Sequence, residues 1–339
     1  MTANHKHLRW ARRQFLTVLA GSCVASSGQA GEKTTRPLKV VDKVVRLRDG
    51  RGLGTRRYGD PELGSPVLYF HGAPSARLEP DIFAHLCNKT GIYLIGVDRP
   101  GLGLSSYKRN HTVANWPQDI SELIDSLRSE RSQGSRIDQV GILSMSSGTP
   151  FALACAEQLK SDISAVALIS PRALGAPGVP YGAKDELLFR FFQRPRLADL
   201  QMKLIERSLR RFPRLGIKMF TKKDSPNDQQ FASCHYEWMV RCALESVRCG
   251  TAGLYRDLLL QCWPWGVCLE NIDVPIRARR GACDLLAPIE SLSFLAQHIG
   301  AGSCSQDFLN VAEQGHLTIL MHEARATLAW LRNHDVAAA

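Results

Sequence analysis

The chain has 339 residues, 44% apolar and 22% charged, with 43 Lys and Arg against 32 Asp and Glu for a formal charge of +11. These proportions exclude a disordered chain, a collagen-like fibre and a coiled coil, and the length suits one large domain or a domain carrying an insertion. No apolar run reaches the ~18 residues that a spanning helix needs.

The positive excess is local. Lys6, Arg9, Arg12 and Arg13 stand among residues 1–30, which contain no acid. They precede the mildly apolar Phe15–Ala25 and a small-residue stretch ending in Gly28-Gln29-Ala30. A basic region, an apolar run and a small-residue site are the parts of an export signal. Arg12-Arg13-Gln14-Phe15-Leu16 resembles the twin-arginine type, with Ala11 where Ser or Thr is usual. The expectation is an exported protein, periplasmic or secreted, with a cytoplasmic one as the alternative. The second basic stretch, residues 184–223, carries a net +8 and leaves the rest of the chain close to neutral. Nucleic-acid binding therefore does not follow from the overall charge.

From about residue 37 the pattern alternates. Val40–Leu47 and Gly54–Tyr58 read as strands joined at the turn dipeptide Asp49-Gly50. Pro66–Phe70, Ile92–Val97, Val140–Met145 and Ile163–Ser170 are continuous apolar runs, as strands buried on both faces are. Trp116–Arg128 and Pro150–Leu159 have helical spacing. Two further strands follow at Ile276–Arg279 and Phe308–Val311. Strands alternating with helices predict an α/β protein with a doubly wound, mainly parallel sheet, whose site lies outside the carboxyl ends of the strands. Between 171 and 271 only helical periodicity remains, so this segment is expected to form a helical cap on a core made of residues 37–170 and 272–335. In Arg196–Arg211, Leu197, Leu200, Leu204 and Phe212 fall on one side, and Lys203, Arg207 and Arg210 on another. The plain reading is a cap helix with a solvated basic face. The sharper one is weak contact with an anionic membrane surface or an acidic substrate.

The strongest chemical signal is Ser144-Met145-Ser146-Ser147-Gly148, where a strand runs directly into a helix. A small-x-Ser-x-Gly turn in that setting is a nucleophile elbow, which projects a serine above the sheet at a helix N-terminus. Ser146 is the candidate, because neither Ser144 nor Ser147 has small residues two positions away on both sides. A hydrolytic serine needs a base, an orienting acid and oxyanion donors. His316, in Gln314-Gly315-His316-Leu317 after the last strand, offers the base. Asp284, in Gly281-Ala282-Cys283-Asp284 after a late strand, offers the acid. His71-Gly72-Ala73-Pro74 follows an early strand, so the backbone amides of Ala73 and Ser147 are the expected oxyanion donors. His71 itself reads as structural and Asp98 as a turn anchor.

The order Ser, Asp, His, together with Asp49-Gly50-Arg51, Tyr58-Gly59-Asp60-Pro61, His71-Gly72-Ala73-Pro74 with Arg77 and Glu79, Asp98-Arg99-Pro100-Gly101-Leu102-Gly103, Trp263-Pro264-Trp265-Gly266, and Gly315-His316, resembles the α/β-hydrolases. Within them the chain looks like the capped esterase and proline-iminopeptidase-like group, over roughly residues 44–333. Ser144 stands where that pattern has glycine, and Ser75-Ala76 where a Gly-Ser pair is common. The resemblance implies a cofactor-independent serine hydrolase acting on a small acyl substrate. A peptide or arylamide hydrolase, or an inactive binding module, are the alternatives.

Ten cysteines are present without a Cys-x-x-Cys pair, and the histidines do not cluster near them, so no metal site is implied. Cys234, Cys242, Cys249, Cys262 and Cys268 are dense enough to hold a disulfide, and free buried thiols explain their spacing equally well.

Overall fold

The structure, a computed structural model, describes residues 38–132, 135–181, 194–300 and 306–335. The expected export signal over 1–30, Cys23 and Cys304 lie outside the described residues. Eight strands form one sheet: β1 (Val40–Arg46), β2 (Gly52–Tyr58), β3 (Ser65–Phe70), β4 (Ile92–Val97), β5 (Val140–Met145), β6 (Ile163–Ile169), β7 (Ile276–Gly281) and β8 (Gln306–Val311). Their order across the sheet is β1-β2-β4-β3-β5-β6-β7-β8. β2 pairs antiparallel with β1 and β4, and every other pairing is parallel. The doubly wound sheet expected from the alternation is the one observed, with boundaries moved by a few residues at most.

The central strands are continuous apolar runs because both faces are covered. On one face Leu68, Phe70, Ile142, Val166 and Ala278 pack with helices α2 (Trp116–Glu130), α3 (Thr149–Gln158) and α9 (Ile289–His298). On the other, Val67, Tyr69, Leu143 and Ala167 meet α1 (Leu86–Thr90) and α10 (Thr318–Arg332). The alternation within each strand sends successive side chains to opposite faces, so a single strand serves both cores.

Between β6 and β7 the described residues contain helices and no strand: α4 (Pro195–Arg211), α5 (Pro213–Phe220), α6 (Pro226–Cys234), α7 (Tyr236–Ser246) and α8 (Thr251–Leu260). This insertion is tethered to the core by charge and by close backbone approach. Arg99 forms a buried pair with Asp257 of α8, and Arg77 Nη1 reaches Glu245 of α7 at 2.6 Å. A Cβ on Gly253 of α8 would stand 2.1 Å from the Gly101 carbonyl oxygen, so helix and loop meet main chain to main chain.

Helix α4 differs from the simplest expectation. Leu197, Leu200, Leu204 and Phe212 are all exposed, as are the basic Lys203, Arg207 and Arg210. The side that packs is centred instead on Ala198, which is buried, and Met202, which lies against Leu102, Val247 and Leu254. The apolar stripe and the basic flank therefore both face outward. No disulfide joins the cysteines at 234, 242, 249, 262 and 268.

His111 sits inside the aromatic layer under β3 and α3. Its ring stacks on Phe151 at 5.7 Å and meets the edge of Trp116 at 6.0 Å. Burial lowers its pKa to about 4, whereas an unfolded histidine titrates near ~6.5. Between those values the unfolded chain binds the extra proton, so this contribution to stability is lost as pH falls. Denaturant unfolding of the wild type should therefore weaken by about 1.4 kcal/mol more than that of His111→Gln between about pH 7.5 and 5.5. Equal losses in the two proteins would contradict this.

Candidate active site

The serine turn is made by backbone geometry. Met145 ends β5 in extended conformation, and Ser146 then adopts φ 51°, a left-handed value that non-glycine residues rarely hold. A single 3₁₀ turn, Ser146–Gly148, leads straight into α3. The turn is possible because Gly148 has no side chain: a Cβ there would lie 2.4 Å from the Phe70 carbonyl oxygen of the neighbouring strand. Ser144, where the related pattern has glycine, is accommodated with its hydroxyl buried. The Ser147 amide belongs to the first turn of this helical stretch, where N–H groups have no intrahelical partner. Gly72 of the loop after β3 packs on the same serine, its absent Cβ falling 3.6 Å from Ser146 Cβ. Ala73 is the next residue of that loop.

Two other strand ends converge here. His316 Nε2 is 3.0 Å from Ser146 Oγ, and His316 Nδ1 is 2.8 Å from Asp284 Oδ2. The three side chains, separated by up to 170 positions in sequence, form one hydrogen-bonded chain and are all buried. A carboxylate can only accept, so the proton lies on Nδ1 and leaves the Nε2 lone pair facing the serine hydroxyl. Burial works to raise the Asp284 pKa, but His316 and the amides of Ala287 and Leu286 outweigh it and hold the carboxyl below its usual range. Those two amides each donate to Asp284 Oδ1 at 2.8 Å. Arg280 braces the same loop, donating to the Asp284 carbonyl at 2.7 Å and the Ala287 carbonyl at 2.6 Å.

The remaining candidates are held in supporting positions. His71 is buried with Nδ1 donating to the Gly72 carbonyl at 2.7 Å, and burial, aided by the Arg99 charge, keeps its ring neutral. Asp98 accepts from the Arg77 amide at 2.7 Å, the Leu104 amide at 2.8 Å and Arg77 Nη1 at 3.0 Å. Burial pushes its pKa up to about 6, with Arg77 pulling the other way. Both oxygens are occupied, as a turn anchor requires.

Several structural partners were not evident from local sequence. Arg99 donates to the His71 carbonyl at 2.6 Å and stacks 4.9 Å over the Phe151 ring, joining the His71 loop to Asp257. Glu79 is buried and accepts from the Gly72 amide and the Tyr69 hydroxyl, each at 2.8 Å. Asp228 of α6 accepts from the backbone amides of His316, Leu317 and Thr318. Its local signal is Ser225-Pro226-Asn227-Asp228, which marks a helix start and says nothing of a partner 88 residues away.

No family model matches the chain. It is similar to the AB hydrolase superfamily protein YisY of Bacillus subtilis (strain 168), with 26% identity over 267 residues that cover 75% of this chain and 85% of that protein. Among solved structures it resembles the esterase EaEST of Exiguobacterium antarcticum, at a TM-score of 0.57 and 19% identity over 87% of this chain and 99% of that one. A thermophilic esterase of Thermogutta terrifontis superposes at 0.58 with 17% identity, covering 88% of this chain and 100% of its own. Sheet order, the strand-to-helix serine turn and these likenesses show that the chain has the α/β-hydrolase fold.

Proposed function

We propose that the protein is a serine hydrolase that cleaves an ester or related acyl bond through an acyl-enzyme. The observation that carries this reading is the chain of contacts from Ser146 Oγ to His316 Nε2 at 3.0 Å and from His316 Nδ1 to Asp284 at 2.8 Å. As Ser146 Oγ attacks the acyl carbon, its proton passes to Nε2, and Asp284 stabilises the imidazolium that forms. The carbonyl oxygen becomes an oxyanion facing the amides of Ala73 and Ser147. Collapse expels the leaving group, which takes the proton from Nε2. Water then repeats the sequence on the acyl-enzyme, giving its proton to Nε2 and releasing the acid and free Ser146. The inserted helices act in this reading as a cap that sets which acyl and alcohol groups fit.

A fluorophosphonate probe should label the wild type at Ser146, and Ser146→Ala should abolish labelling. For a short-chain ester, Ser146→Ala and His316→Ala should each lower kcat by roughly 10⁴–10⁶, and Asp284→Asn by roughly 10⁴. Combining any two should add little, because the residues act as one unit. Asp98→Asn should lower Tm while leaving kcat within a few-fold. Near-native turnover by a folded Asp284→Asn protein would remove Asp284 from this role.

The outer face of the insertion supports a second part of the reading, a weak contact with an anionic lipid surface. Leu197, Leu200 and Leu204 of α4, Leu215 and Met219 of α5, and Phe212 between the two helices are exposed, in a stretch whose charge is strongly positive. Apolar side chains flanked by Arg and Lys suit the boundary between acidic headgroups and acyl chains. Vesicles containing phosphatidylserine should bind the protein, with affinity falling as salt rises. Leu200→Ser with Leu204→Ser should reduce binding and leave turnover of a small neutral ester within a few-fold. Unchanged vesicle binding, or concentration-dependent dimerisation abolished by the same changes, would count against a lipid surface.

A further inference from the structure

The candidate base is held from two directions. Asp284 takes the ring of His316, and a second buried carboxylate, Asp228, takes its backbone. Asp228 lies in the first turn of α6, inside the insertion, and is fully buried. Its Oδ2 accepts from the His316 amide at 2.7 Å and the Ser225 hydroxyl at 2.9 Å. Its Oδ1 accepts from the Leu317 amide at 2.8 Å and the Thr318 amide at 3.1 Å. Gly315 is pressed against the same group, since a Cβ there would fall 2.2 Å from Asp228 Oδ2. Beside it, Asn227 Nδ2 donates to the Glu313 carbonyl at 2.7 Å.

These contacts do the work of a helix cap. Helix α10 opens at Thr318 with leucine at its N-cap position, a side chain that cannot accept a hydrogen bond. Its leading amides would otherwise be orphaned beside a buried site. A carboxylate suits them doubly, by accepting from the N–H groups and by complementing the positive end of the helix dipole. That carboxylate comes from a different part of the chain.

We propose that Asp228 is a positioning residue, which ties the alignment of His316 to the seating of the inserted helices. The inference rests on the serine-hydrolase reading and extends it. Nε2 faces Ser146 only while the loop from Gly315 to Thr318 keeps its place. Three of that loop's amides are fixed by α6, so displacement of α6 uncouples the base from the serine even with Asp284 in place.

The test uses the full chain, a short neutral ester, and rates expressed per site titrated by the fluorophosphonate probe. Asp228→Asn keeps the shape of the side chain but turns an N–H₂ group towards one set of amides. It should lower kcat per titrated site roughly 10- to 100-fold, the cost expected of small misplacements at a reacting centre. KM should stay within about threefold, and the second-order labelling rate should fall in parallel with kcat. A purely structural role would instead reduce Tm or the number of titratable sites and leave the rate per site untouched. Ser225→Ala, which removes the N-cap of α6 and with it one anchor of the carboxylate while leaving the carboxylate itself in place, is the gentler variant and should slow labelling by about threefold. Wild-type rates per site in both variants, or in Ser225→Ala if Asp228→Asn does not fold, would overturn the proposal. A wild type that the probe does not label would overturn the hydrolase reading, and this inference with it. Normal labelling in every protein would overturn only the role of Asp228.

Discussion

The arrangement depends on one constrained backbone position. Ser146 holds φ 51° at the point where a buried parallel strand becomes a helix, and that conformation is maintained because its surroundings leave no other path for the chain. Strand β5 is fixed by ladders to β3 and β6 on its two sides. Helix α3 is almost wholly buried and must start at once to pack on the sheet. The side-chain-free approach of Gly148 to the Phe70 carbonyl lets the two meet. A local strain of roughly 1–3 kcal/mol is thus distributed over a large, cooperative core.

Around this point the loops at the strand ends are held by buried carboxylates that accept backbone amides. Glu79 takes Gly72, Asp98 takes Arg77 and Leu104, Asp284 takes Leu286 and Ala287, and Asp228 takes His316, Leu317 and Thr318. Removing a carboxylate from water is costly unless its lone pairs are met, and two or more N–H or O–H donors meet them in each case. The arrangement fixes loop backbones without filling the space above the sheet with bulky side chains. Arg99 and Arg280 add the complementary device, donating to loop carbonyls from buried positions.

Much of this was legible from the sequence, for reasons that are local. The parallel sheet follows from apolar runs such as Val140–Met145 alternating with helical spacing, and strand ends are where side chains can converge. Ser146 carries a short-range signature in the small residues its turn demands. Asp284 and His316 are readable as residues that follow late strands, and the parallel pairing of β7 with β6 and β8 brings their loops together. Asp228 and Asp257 were not legible, because their partners lie in another layer and nothing near them in sequence records that contact. The outward apolar face of α4 was also hidden. Periodicity identifies a stripe of leucines but not the neighbour it meets, and here the packing side is built on Ala198 and Met202.

The meeting of Gly253 with Gly101 has an evolutionary consequence. Main chain against main chain leaves no side-chain key to be matched, so this joint constrains the positions of two segments while placing few demands on the residues around it. Helices α4 and α5 lie beyond the joint, and the anchoring pairs to Arg77, Arg99 and the His316 loop come from α6, α7 and α8. Outer-surface character is thereby separated from the geometry over the serine. Substitutions on the exterior of the insertion can therefore leave untouched the contacts by which α6, α7 and α8 hold the loops at the strand ends.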